Sequence, residues 1–107
     1  MKLFFVRMIA ITGLTCASIA FAADDAQTLM KNNNCLFCHQ LEGKKAGPGF
    51  VDIARKYKNV ADAASKLEAK ILNGSVGTWG TMPMPAMSKL KPAEIKVLVT
   101  YILSTAK

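Results

Sequence analysis

The chain has 107 residues, 51% hydrophobic and 20% charged, with 14 Lys and Arg against 7 Asp and Glu and a formal charge of +7. That length holds one small domain and excludes a multidomain enzyme. The basic residues are dispersed rather than gathered in one run, which argues against a nucleic-acid partner.

Lys2 and Arg7 precede an uncharged stretch from Met8 to Ala20, which ends in the small-residue pattern Ala20-Phe21-Ala22. This order predicts a cleaved secretory signal over residues 1–22 and therefore a periplasmic protein. The uncharged stretch runs only to Ala23 and is weakened by Thr and Ser, so it falls short of the roughly 20 apolar residues of a membrane span. No stable membrane insertion is expected. Thr15 before Cys16 stands where a lipid-anchor signal wants Ala, Gly or Ser, which disfavours an anchor there.

The domain proper is residues 23–107, which is 85 residues (107 less 22), with a charge of about +5 once Lys2 and Arg7 have left. A chain this short buries only about 60–65% of its unfolded surface. Domains of this size lean on a disulfide, a metal or a cofactor.

Asp24 and Asp25 are expected to cap a first helix that begins near Ala26, turns Leu29 and Met30 inward and gives way to a turn near Asn33. Gly43 to Gly49 reads as a loop. A short helix is expected from Phe50 to Tyr57, with Val51, Ala54 and Tyr57 at helical spacing. The run Asp62 to Leu72 predicts a third helix with Leu67, Ile71 and Leu72 on one face, Lys66 and Lys70 toward water, and Gly74 as the left-handed stop. Asn73 to Lys91 reads as a long structured loop, because Pro83 and Pro85 forbid a helix. Pro92 and Glu94 suit the first turn of a last helix, with Ile95, Leu98, Val99, Ile102 and Leu103 along its core-facing stripe. The expected fold class is all-α, with about four short helices.

Without Cys16 the chain keeps two cysteines and its only histidine, all within Cys35-Leu36-Phe37-Cys38-His39. Four causes compete. Structural zinc lacks a fourth ligand, with no carboxylate nearer than Glu42. A dithiol redox motif normally follows a strand, and none precedes Cys35. A bare disulfide closes too small a loop to stabilise much and leaves His39 unexplained. Covalent c-type haem attachment uses all three residues: side chains three apart project from one face of a helical turn, so Cys35 and Cys38 reach two vinyl groups while His39 faces the iron. With no second histidine, the other axial position falls to a methionine. Met84 between Pro83 and Pro85 is the candidate, and Met82 and Met87 read as core gap-fillers.

Together with Gly47-Pro48, Asn73-Gly74-Ser75, Gly77, Trp79-Gly80 and Pro83-Met84-Pro85, the pentapeptide closely resembles the small bacterial class I cytochromes c of the c-551/c-552 type, over essentially all of residues 24–107. The resemblance implies a cytochrome c fold around one covalent haem c, with His39 and Met84 on the iron. It further implies that Pro48 offers its carbonyl to the other nitrogen of His39 and that Trp79 donates its indole N–H to a haem propionate. Lys70 stands where relatives often carry a propionate-binding Arg, and Met87 stands where they often carry an Asn near the methionine sulfur.

The expected function is one-electron transfer rather than enzyme catalysis: a soluble periplasmic carrier, monomeric, serving a respiratory chain through a terminal reductase, oxidase or peroxidase. The basic balance points to redox partners with acidic docking patches, met by a rim drawn from Lys44, Lys45, Arg55, Lys56, Lys58, Lys89 and Lys91. Two other functions stay open: a haem sensor or enzyme with a labile Met84, and a thiol–disulfide exchange protein using Cys35 and Cys38.

Overall fold

The computed structural model describes Gly13 and residues 19–106, with side chains from Asp25 onward. Of the region read as a secretory signal, residues 1–12 and 14–18, Cys16 included, lie outside the described residues.

Among the described residues there are four helices, α1 (Ile19–Asn32), α2 (Phe50–Tyr57), α3 (Ala63–Asn73) and α4 (Pro92–Ser104), and one 3-10 turn over Cys35–Phe37. α4 is the hub, packing against each of the other three. Its sequence explains its position. Pro92 occupies the first turn, the Glu94 carboxylate accepts a 2.9 Å hydrogen bond from the Lys91 backbone N–H, and Ile95, Leu98, Val99 and Ile102 bury one continuous stripe. Met30 of α1, Phe50, Ile53 and Tyr57 of α2, and Leu67 and Ile71 of α3 close on that stripe.

α2 has the bounds its apolar spacing predicts. Gly74 ends α3 at φ 80° and ψ 173°, a positive-φ conformation that favours glycine but is extended, not the left-handed helical stop expected there. Three further expectations need correction. α1 begins at Ile19, so Asp24 and Asp25 lie inside the helix instead of capping it. Leu72 is exposed, because the buried side of α3 follows the four-residue step from Leu67 to Ile71 and Leu72 is turned about 100° from it. Lys70 bends away from water toward the loop after α3. Among the described residues no helix is long and apolar enough to cross a membrane.

Candidate functional site

The three residues of the pentapeptide with chemistry are placed by backbone bonds that curl the chain into a tight turn. The N–H groups of Cys38 and His39 both donate to the Cys35 carbonyl, at 3.2 and 2.9 Å. Asn34 enters the turn in the left-handed region at φ 58°. The following loop is stitched back by Gly47 N–H to Cys38 O at 2.7 Å and Phe50 N–H to Gln40 O at 2.9 Å. His39 is thereby held from two sides. Its Nδ1 lies 2.7 Å from the Pro48 carbonyl, and the Phe50 ring stacks on it with centroids 5.5 Å apart and planes 21° apart. Phe50 meets Tyr101 edge-on, and the Gln27 amide donates to the Tyr101 hydroxyl at 2.8 Å. As a carbonyl oxygen cannot donate, Nδ1 is the donor of this bond, and in the neutral ring that leaves the lone pair on Nε2.

Gly47 is required by this packing. A Cβ there would stand 2.7 Å from His39 Cε1 and 3.1 Å from Nδ1, and Phe50 blocks the ring's retreat. Gly47→Ala is therefore expected to cost about 1–3 kcal/mol, a fall in Tm on the order of 5–20 °C by circular dichroism. An unchanged Tm would show that the ring can move aside.

Met84 is presented by a feature the sequence did not announce. Ser75 and Met84 exchange both backbone hydrogen bonds, at 3.1 and 2.7 Å, so residues 76–83 form a closed excursion from one bridge. Gly74 allows it, since a Cβ there would meet the Met84 carbonyl at 2.7 Å. The Met84 side chain is half-buried against the core, as is Met87, whose N–H donates to Ile71 O at 2.9 Å. Met82 is 68% exposed, so the expectation that it fills a core gap is wrong: it lies on the excursion, outside the core.

These residues share a cleft of about 730 Å³, lined by Cys35, Cys38, His39, Met84, Trp79 and Lys70 together with core apolar side chains. Its volume falls in the range of about 300–1,000 Å³ typical of cofactor sites. Cys35 and Cys38 are unbridged, and burial pushes the Cys35 thiol up, opposite to the lowered values that activate exchange thiols. Trp79 is partly exposed under the Lys56 ammonium, 5.4 Å from its ring centroid, and Lys70 donates to Thr78 Oγ1 at 2.9 Å and Ser75 Oγ at 3.3 Å.

The donor set fits a haem. Two thiols on one turn, an imidazole bound through its Nδ1 and a thioether on the same apolar cleft are the donor set of a covalent haem protein. The family model described as cytochrome c matches residues 23–106. Cytochrome c-552 of Nitrosomonas europaea is 42% identical over 104 residues, 97% of this chain and 98% of that protein. Cytochrome c-552 of Hydrogenobacter thermophilus is 41% identical over 97 residues, 91% of this chain and 93% of that protein. The crystal structure of the wild-type Nitrosomonas europaea cytochrome c552 superposes with a TM-score of 0.71 at 46% identity, covering 74% of this chain and 98% of that one. The chain belongs to the cytochrome c family, with its all-α fold and its one covalently attached haem c and iron. Its class I relatives place it among the electron carriers.

Proposed function

We propose that the protein is a periplasmic one-electron carrier, made with a signal over residues 1–22 that is removed to leave a monomeric domain of residues 23–107. Cys35 and Cys38 would form the thioethers, and His39 and Met84, which line the same cleft, would hold the iron. The observation that carries this reading is the pairing of His39, its Nδ1 bound to Pro48 O at 2.7 Å, with Met84, fixed by its bridge to Ser75 on the same cleft.

The haem supplies reversible one-electron exchange at its iron; the chain fixes the geometry in which that happens. Pro48 keeps the proton on Nδ1 and aims Nε2 into the cleft, while Phe50 sets the ring plane. The Ser75 bridge fixes the Met84 backbone beside the cleft, from which its thioether would reach the iron. Met30, Ile53 and Leu98 exclude water, and a thioether ligand favours the ferrous state, which suits a high-potential step near the end of a respiratory chain. The rim lysines suit acidic patches on a reductase, oxidase or peroxidase, and association should weaken as salt rises. Trp79 is assigned to a propionate through its indole N–H.

The test is the exported protein itself. We expect its mass to equal residues 23–107 plus one haem that survives denaturation, and its spectra to be low-spin in both redox states. A high-spin native ferric spectrum would move the protein to the sensor or enzyme class. Haem lost on denaturation would sink the thioether assignment.

A further inference from the structure

The excursion that presents Met84 has little core packing to hold it. Residues 76–83 are all exposed, and within them the backbone contributes one bond, Gly77 N–H to Gly80 O at 3.0 Å. Segments with few buried contacts open at low cost, so side-chain anchors decide how long Met84 stays in place. Those anchors are lysines, and they fall on adjacent residues. Lys70 of α3 donates to Thr78 at 2.9 Å and to Ser75, the bridge partner of Met84, at 3.3 Å. Lys56 of α2 sits over Trp79 at 5.4 Å. Among the described residues the only ion pair is Arg55–Asp52, so neither ammonium is diverted to a carboxylate.

We propose that Lys56 and Lys70 are positioning residues for Met84: their ammonium groups, reaching from two different helices, clamp the 75–84 excursion and keep the thioether in the cleft. This gives Lys70 a role distinct from the propionate contact that the family resemblance implies. It rests on the reading of Met84 as an iron ligand.

The test uses the ferric holoprotein and imidazole, which competes with a thioether for the iron, followed through the weak charge-transfer band of the methionine–iron bond. Lys70→Met keeps the aliphatic stem but removes two hydrogen bonds, and should raise the apparent imidazole affinity about fivefold. Lys56→Gln removes the cation–π contact and should raise it about two- to threefold. Lys70→Arg should restore the Lys70→Met loss, and Lys96→Gln, an exposed charge control on α4, should leave the affinity unchanged. Each titration is run well below the melting temperature of its variant, so general destabilisation does not enter. If Lys96→Gln has as large an effect, net charge is responsible and the clamp is wrong. If Lys70→Met leaves imidazole affinity unchanged but shifts the pH dependence of the reduction potential, Lys70 serves the haem carboxylates instead and the clamp is overturned. A wild-type protein without the methionine band removes the Met84 reading first, before any lysine is changed, and the clamp falls with it.

Discussion

Met84→Ala should abolish the methionine–iron charge-transfer band and turn the ferric protein high-spin at neutral pH, while the haem stays covalently attached. The reduction potential should fall by on the order of 0.1 V or more, within the roughly 0.8 V range that axial ligation covers. Met82→Ala and Met87→Ala should keep the band. The three methionines differ by anchoring, not by chemistry. Met84 is held through both its N–H and its C=O by Ser75, at 2.7 and 3.1 Å, with a proline on each side. Met87 is turned into the core beside Ile71, and Met82 is 68% exposed. Absorption and magnetic circular dichroism of the three variants decide the matter. A band that survives in Met84→Ala and disappears in Met87→Ala would transfer the ligand role to Met87.

Most of the scaffold was legible because it obeys local rules. The stripe Ile95, Leu98, Val99, Ile102 has a single reading, and α4 takes it. Phe50 to Tyr57 alternates buried and exposed positions at helical period and forms α2 with those bounds. The end of α3 at Gly74 was legible too, although the glycine takes a positive-φ extended conformation and not the left-handed stop. What stayed hidden is long-range. No propensity announces that Ser75 will bridge to Met84, because the bridge is a consequence of where α3 and α4 leave their ends. Nor does the sequence announce that Phe50 stacks on His39, which depends on the loop folding back through Gly47 N–H to Cys38 O. The glycine pair around Pro48 was the available signal, since a glycine beside a ligand-orienting residue often marks a close approach. The start of α1 was missed because two aspartates read as caps, although the chain upstream of them continues the helix.

Replacing both Cys35 and Cys38 with Ala should prevent covalent attachment and, with it, cooperative folding. The argument is one of magnitude. Left as a void, a cleft of about 730 Å³ would cost on the order of 17 kcal/mol at about 24 cal/mol per Å³, an upper bound because the cleft opens to solvent. Even a third of that, about 6 kcal/mol, equals the whole stability at the lower end of the about 5–15 kcal/mol that holds a domain together. The side chains facing the cleft cannot collapse to fill it, since Phe50, Leu98 and Ile102 are also committed to the α2–α4 packing. The double variant should therefore retain helical signal in the far ultraviolet but lose a sharp melting transition and bind a hydrophobic dye, as expanded compact states do. Single Cys35→Ala or Cys38→Ala variants keep one thioether and should melt cooperatively at a lower temperature. A double variant that melts sharply near the wild-type temperature would mean that the helices hold without the haem, and that the cofactor is cargo in this fold and not its staple.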